Sequence, residues 1–360
     1  MSKPIKIFLF GCWNKNSCLD KKNNDNRQFI LELLTYQKPN YDMGILLGDN
    51  IYPLKTKQLK RKTKKSLAQK YLKMSKKVKK VKSFLKESEY FYQEIINITD
   101  YLTRDSSLDK KLHIILGNHD VENKCVLNNQ IKNFTNDLSS IYEDNTILET
   151  ENAFFIMLNT NNIENIIEFL ENLVENTINF KNKWVIFCAH DPIMSYKPKK
   201  QKIFQKIDNI DIVLEKIKNL DYKKILYVCA DTHNFQVINI FSLSEEDTDE
   251  FEIPIVVLGT GGANPDSLKD IGKYENSYDE NLDINIDILD YESPFGFADM
   301  EVFKNKIILT YKKCEVHKIF ILEYIPKKNI LIITNKEKKF KCNIPEIRCI
   351  NDKKLLLEIC

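Results

Sequence analysis

The chain has 360 residues, of which 43% are hydrophobic, and a formal net charge of +3. That length allows one large domain or two, each with a substantial buried core, and the small charge selects no partner. The chain has no run of about 18 apolar residues, so we expect no transmembrane segment. Its first residues lack a signal peptide's apolar stretch, and its nine cysteines are scattered without Cys-x-x-Cys spacing. We therefore expect an intracellular, cytoplasmic protein in a reducing compartment.

The N-terminal part alternates between predicted strands and a helix. The apolar run Ile5–Phe10 predicts a buried strand, and it ends in Gly11-Cys12-Trp13-Asn14. A helix is predicted over about Asn26–Tyr36. A second strand, Met43–Leu47, ends in Gly48-Asp49-Asn50-Ile51-Tyr52.

A basic segment, Lys55–Lys86, follows and contains no acidic residue. Its apolar residues alternate in steps of four and three, which predicts a long helix with one apolar stripe. The stripe consists of Leu67, Tyr71, Met74, Val78, Val81 and Leu85. Three interpretations remain open: a solvated helix packed on the core, a surface for nucleic acid or another polyanion, and a stripe that binds a helical partner.

Three further strands in the middle of the chain end on polar residues. Leu112–Leu116 runs into Gly117-Asn118-His119-Asp120, Trp184–Phe187 into Ala189-His190, and Ile225–Val228 into Ala230-Asp231-Thr232-His233. Helices are predicted over Ile163–Asn179 and Asp208–Leu220. Later, we predict a long polar loop over Asp266–Asp290, a strand over Lys306–Tyr311, and a hairpin of Ile319–Ile325 with Ile330–Thr334.

The five strand endings together predict one metal site. Loops at the carboxyl ends of strands are where α/β folds place their chemistry, and these five carry Asp, Asn, Tyr and three of the five histidines. Singly, each ending has a plainer interpretation. Gly48-Asp49-Asn50 is a good turn signal, and Tyr52 before Pro53 is typical of a packed aromatic. Five such endings in series along the chain favour the metal site over these plainer interpretations.

This order resembles the calcineurin-like metallophosphoesterases, most closely their purple acid phosphatase branch. The matching family motifs are Gly-Asp-Asn-x-Tyr and Gly-Asn-His-Asp, and Phe154–Thr160 is similar to the family's Phe-x-Leu-Asp-Thr strand. The resemblance implies an α/β (α+β) fold with a two-sheet β-sandwich core flanked by helices. We expect such a domain over residues 1–312, with residues 55–86 as a helical insertion and residues 313–360 as a C-terminal β-hairpin extension.

The resemblance also implies a dinuclear metal centre, with zinc, iron or manganese as candidate ions, that hydrolyses a phosphate ester. Asp49 would bridge the two ions. Tyr52 and His233 would bind the first ion, and Asn118 and His190 the second. His119, which is not a ligand, would steady or protonate the leaving oxygen of the phosphorylated substrate.

Two positions depart from the family pattern. Cys12 stands where the family has an Asp, and Asp231, after Ala230 instead of Gly, stands where it has a His. Thiolate and carboxylate are both competent metal ligands, so we predict that Cys12 and Asp231 bind metal in a remodelled site. Asp231 adds one negative charge in place of a neutral imidazole, which would weaken attraction of a phosphate dianion. The alternative is a catalytically degenerate protein that acts as a binding or structural module.

Overall fold

The structure is a computed structural model that describes part of the chain. The described residues are 3–13, 30, 34, 41–50, 52, 111–122, 127–128, 131, 135, 137, 139–175, 180, 182–199, 202–242, 251–292, 295–314, 330–335, 338–343 and 355–358. The basic segment Lys55–Lys86 lies outside them, so its helix and its polyanion partner stay predictions. Of the predicted helix Asn26–Tyr36, only Ile30 and Leu34 are described, and both are helical and buried.

Strands dominate the described residues. In chain order they are β1 (Ile5–Phe10), β2 (Met43–Leu47), β3 (Leu112–Ile115), β4 (Ser139–Tyr142), β5 (Thr146–Glu149), β6 (Ala153–Met157), β7 (Trp184–Cys188), β8 (Met194–Lys199), β9 (Lys202–Lys206), β10 (Ile225–Cys229), β11 (Phe235–Ser242), β12 (Phe251–Leu258), β13 (Asn276–Asp279), β14 (Ile284–Glu292), β15 (Phe295–Val302), β16 (Lys306–Cys314), β17 (Ile330–Asn335), β18 (Lys338–Asn343) and β19 (Leu355–Glu358). The helices that the described residues define from end to end are α1 (Asn118–Val121), α2 (Ile163–Glu175) and α3 (Ile210–Lys218), with a 3₁₀ turn over Ile271–Tyr274.

Two large sheets contain most of these strands. The first sheet has the order β19-β16-β15-β1-β2-β3-β4, and the second has the order β13-β14-β11-β12-β10-β7-β6-β5. Strands β1 to β4 are mutually parallel, as are β6, β7, β10 and β12. The central strands β2, β7 and β10 are buried along their whole length, which explains their unbroken apolar sequences.

The hydrophobic core lies in two layers. Between the sheets, residues such as Leu9, Ile45 and Val228 are fully buried. On the outer face of the second sheet, α2 and α3 cover a second layer, in which α2 buries residues at steps of four and three, Ile166, Leu170 and Leu173. Truncating Leu170 to Ala would cost about 2–5 kcal/mol because a cavity would remain. The predicted two-sheet sandwich with flanking helices is confirmed.

Three predicted elements differ from the structure. The polar loop expected over Asp266–Asp290 contains the 3₁₀ turn, β13 and most of β14, so that prediction is wrong. Helix α3 is two residues shorter at each end than Asp208–Leu220. In the C-terminal part, Ile330–Thr334 lies in a strand that pairs with β18, while Ile319–Ile325 lies outside the described residues. The described helices include none with the length and apolarity to cross a membrane.

Candidate metal centre

The carboxyl ends of the parallel strands of both sheets meet at one edge of the sandwich. The amide of Gly11, just after β1, donates to the carbonyl of Leu258 at the end of β12 (2.9 Å), and Gly261 N donates to Gly11 O (2.9 Å). Glycine is required where the loops touch. A Cβ on Gly48 would lie 2.5 Å from Nδ1 of His190, and a Cβ on Gly117 would lie 2.5 Å from Oδ1 of Asp49. The glycines of the second and third motifs therefore allow the loops to approach each other closely.

Three predicted ligands have left-handed backbone conformations. The φ angles are 54° at Cys12, 55° at Asp49 and 45° at Asp231. L-residues, unlike the achiral glycine, disfavour this region by about 1–2 kcal/mol, although Asp tolerates it better than most. Such conformations cluster at functional sites, where the surrounding structure holds them. Here each lies just after the end of a strand, where it turns the chain sharply.

A first cluster combines donors from the first, second and fifth motifs. One donor atom each from Cys12, Asp49 and His233 lies within 4.8 Å of the others. Sγ of Cys12 is 3.9 Å from Oδ2 of Asp49, and the Tyr52 hydroxyl is 3.2 Å from Nε2 of His233. Burial, together with the nearby Asp49 carboxylate, raises the pKa values of the Cys12 thiol and the Tyr52 phenol. Without a metal, both groups therefore stay protonated at neutral pH.

A second cluster combines donors from the fourth and fifth motifs. Donor atoms of His190, Asp191 and Asp231 also lie within 4.8 Å of one another. Nε2 of His190 is 3.3 Å from Oδ1 of Asp49 and 3.8 Å from Oδ1 of Asp231. Asp49 therefore directs one carboxylate oxygen towards each cluster.

Both clustered histidines present Nε2 to the site. Nδ1 of His190 is 2.8 Å from the carbonyl of Leu47, and Nδ1 of His233 is 3.0 Å from the carbonyl of Asn264. A carbonyl can only accept, so Nδ1 carries the proton and Nε2 offers a lone pair when the ring is neutral. Metal-ligating histidines usually donate their other N–H in this way. Within the described part of the chain, Nε2 of His190 is fully buried and has no hydrogen-bond partner, which fits a cation between it and the carboxylates.

Asn50 and Asp120 brace the loops. Asn50 accepts from Trp13 Nε1 (3.0 Å) and donates to Ile115 O (2.8 Å). Oδ2 of Asp120 accepts from Gly117 N (2.8 Å), Asn50 N (3.2 Å) and Asn50 Nδ2 (3.0 Å). Asp120 is fully buried, and it holds the second and third motifs together.

The two predicted site residues of the third motif, Asn118 and His119, lie in different surroundings. The backbone amide of His119 donates to Oδ1 of Asp49 (3.2 Å), and its ring lies 4.5 Å from that of Tyr52. Nδ1 of His119 is 2.8 Å from Oε1 of Glu122, a partner that the sequence analysis missed. Asn118 is exposed at the start of α1 and, among the described residues, forms no hydrogen bond with either cluster.

Three more residues at the site escaped the sequence analysis. Asp191 was detectable because it directly follows His190. Lys197 and Gln205 gave no signal, yet Lys197 Nζ and Gln205 Nε2 lie 2.8 Å and 2.5 Å from Oδ2 of Asp231. Burial would raise the pKa of Asp231, but His190 and Lys197 together lower it well below its usual value. Asp231 is therefore ionised at any physiological pH.

Comparisons with known proteins identify the fold by its similarity to solved structures. No family model and no curated protein matches the chain. Among solved structures, PhoD superposes with a TM-score of 0.51 at 12% identity, covering 87% of this chain and 66% of PhoD. The chain thus spans about two-thirds of PhoD's length, and it has the metallophosphoesterase-like fold.

Two other solved structures superpose more loosely. One is GAP50, described as the anchor in the inner membrane complex of Plasmodium (TM-score 0.46, 13% identity, 87% of this chain and 85% of GAP50). The other is a single mutant of Vps29 from Entamoeba histolytica (TM-score 0.29, 9% identity, 86% of this chain and 92% of that chain). The fold assignment rests on PhoD.

Proposed function

We propose that this chain is a phosphate ester hydrolase that uses a dinuclear metal centre. One observation carries the proposal: the two carboxylate oxygens of Asp49 face different donor clusters, Oδ2 towards Cys12 at 3.9 Å and Oδ1 towards His190 at 3.3 Å. A carboxylate shared by two donor sets is what a bridging ligand between two cations requires. The metallophosphoesterase-like fold supports the same interpretation.

The donor sets suggest how two ions would be held. The first ion would be bound by Cys12, Asp49, Tyr52 and His233. The second would be bound by Asp49, His190 and Asp231, with Asn118 from the family resemblance and Asp191 from the geometry. Such a pair of ions supplies Lewis acidity and charge neutralisation at phosphorus.

The identity of the first ion follows from ligand chemistry. A cysteine thiolate is a soft ligand that favours zinc or ferrous iron over magnesium or calcium. Cys12 is buried as a thiol, so an ion must displace its proton. We therefore propose zinc or ferrous iron at the first position, and zinc, iron or manganese at the second.

His119 is proposed to protonate the leaving oxygen of the substrate. Its Nδ1 is 2.8 Å from Glu122, which leaves Nε2 for proton transfer and fixes the ring plane. Its backbone amide donates to Asp49, so the third motif is tied to the proposed bridge. A general acid must be held within reach of the leaving group, and these contacts provide that positioning.

Metal content and turnover of an aryl phosphate together test the proposal. Protein reconstituted with zinc, manganese or ferrous iron under reducing conditions should hold about two ions per chain and hydrolyse the ester. Asp49→Asn should lose both properties because it removes a charge shared by the two ions. Asp42→Asn is the matched control, since Asp42 is a buried Asp that accepts from Lys6 N outside the site. Wild type without metal, or with metal and no turnover, would favour the binding or structural module instead.

A further inference from the structure

Lys197 forms ion pairs with two acidic residues, Asp231 and Asp266, beside the second cluster. Its ammonium nitrogen lies 2.8 Å from Oδ2 of Asp231, 3.3 Å from the Asp231 carbonyl and 3.6 Å from Oδ2 of Asp266. Its side chain is only 23% exposed. Gln205 donates to the same Oδ2 at 2.5 Å. Oδ2 of Asp231 is thereby occupied, while Oδ1 faces His190 at 3.8 Å.

The hairpin formed by β8 and β9 delivers Lys197 to this position. Ser195 Oγ and Thr232 Oγ1 lie 2.6 Å apart. Tyr196 exchanges two hydrogen bonds of 2.8 Å with the side chain of Gln236. The hairpin register shifts between Tyr196 and Lys199, and such irregularities re-aim side chains. The hairpin is therefore docked beside Asp231, with Lys197 within the irregular stretch.

This contact changes the charge of the proposed metal centre. The family resemblance implies a neutral imidazole at position 231, whereas this chain has a carboxylate there. The ammonium of Lys197, 2.8 Å away, returns one positive charge at nearly the same place. At such distances in a buried site the two charges interact strongly, so the net charge of the pair governs what the centre binds.

We propose that Asp231 and Lys197 form one electroneutral unit that replaces a neutral ligand of the second ion. In this unit Asp231 offers Oδ1 to the ion, while Lys197 and Gln205 hold Oδ2 and keep the carboxylate monodentate. Lys197 is thus a positioning residue that sets the charge of the centre. The inference rests on the proposed function, since it concerns the binding of the second ion.

The unit reverses an expectation drawn from the sequence. The sequence alone led us to expect that Asp231, in place of a neutral imidazole, weakens the attraction of a phosphate dianion, so that Asp231→His would strengthen it. With Lys197 in place, the same change leaves an ammonium without its main partner beside the second ion. Asp231→His alone should therefore weaken metal binding.

Metal affinity, measured by competition with a chromophoric zinc chelator, tests the unit. Lys197→Met should bind the second zinc about tenfold more tightly, because an uncompensated carboxylate is added to the site. It should bind inorganic phosphate, assayed as an inhibitor, correspondingly more weakly. Lys197→Arg should match wild type. Asp231→His should bind zinc about tenfold more weakly, and the double variant Lys197→Met with Asp231→His should return towards wild type.

Lys206→Met is the control, because Lys206 lies on the same hairpin but pairs with Asp279 of β13, so its loss should leave zinc affinity unchanged. Thermal denaturation checks that every variant is folded. If wild type holds two zinc ions and folded Lys197→Met holds them no more tightly, the unit is refuted while the hydrolase proposal stands. A folded double variant that binds zinc as weakly as Asp231→His alone would refute it as well, because removal of the ammonium would then not have restored binding. Wild type that holds none of zinc, manganese and ferrous iron would overturn the hydrolase proposal first, and the unit with it.

Discussion

Oδ1 of Asp49 lies 3.3 Å from Nε2 of His190, and in the neutral tautomer both atoms are hydrogen-bond acceptors. Two lone pairs at this distance repel each other unless a cation lies between them. The cation can be a proton on Nε2 or a metal ion bound by both residues. Metal and proton therefore compete for the same place.

In metal-free protein this relationship predicts a specific pH dependence of stability. Burial alone would lower the pKa of His190, but Asp49, Asp191 and Asp231 raise it from 6.5 to about 9. A raised pKa in the folded state means that His190 stabilises the fold fully below pH 6.5 and that this contribution is lost as the pH rises through 9.

The test is the free energy of unfolding of chelator-treated protein. As the pH is raised from 6.5 to 9, this free energy should fall for wild type and change less for His190→Gln. His113→Gln is a control, since His113 is a buried His that contacts the Tyr142 hydroxyl instead. An equal fall in wild type and His190→Gln would contradict the prediction.

Gly117→Ala should damage both stability and metal binding. Its Cβ would lie 2.3 Å from the amide nitrogen of Asp49 and 2.5 Å from its carboxylate, so the proposed bridge must move. Overpacking of this kind costs about 1–3 kcal/mol. Gly272→Ala is the matched control because the nearest atom to its Cβ would be 3.5 Å away. Thermal denaturation and metal content of both variants test the claim, and unchanged metal content in Gly117→Ala would contradict it.

Cys12 is expected to be a ligand of the first ion. Cys12→Ala should lower the metal content by about one ion per chain, whereas Cys12→Asp should keep it and shift the preference towards harder ions such as manganese. Asp also tolerates the φ of 54° at this position better than Cys does. Cys188→Ala is the control, since Cys188 is buried between the sheets outside both clusters. Equal metal content in all four proteins would remove Cys12 from the site.

His119→Ala should keep its metal and lose turnover by about 10²–10⁴-fold on esters with poor leaving groups. A leaving group of low pKa needs less protonation, so the loss should shrink with an activated aryl phosphate. Glu122→Gln should show the same dependence on the leaving group but a smaller loss, because Glu122 only orients the ring. Losses that are independent of the leaving group would exclude general acid catalysis by His119.

The strand endings were predictable because their chemistry is local. A buried apolar run followed by Gly and a polar residue fixes where the side chain emerges, and this located Cys12, Asp49, His190 and His233. Strand β14 was missed because Asn and Asp residues separate its buried residues Ile284, Ile286 and Ile288, although that alternation is itself a strand pattern.

Lys197 could not have been found from the sequence. It lies 34 residues before Asp231, and its approach depends on the register of a hairpin and on that hairpin's docking. Neither leaves a pattern in the local sequence. Asn118 shows the opposite case, since its motif matches the family while the residue itself is exposed.

The contact between the strand ends of the two sheets has a consequence for how relatives of this chain should vary. A Cβ on Gly11 would lie 2.5 Å from the Cβ of Ala230, and the carbonyl oxygen of Leu47 would lie 2.9 Å away. The space between β1 and β10 therefore holds a single methyl group, and Ala230 occupies it. In an alignment of homologues, the two positions should covary: a side chain at position 230 should appear only with Gly at position 11.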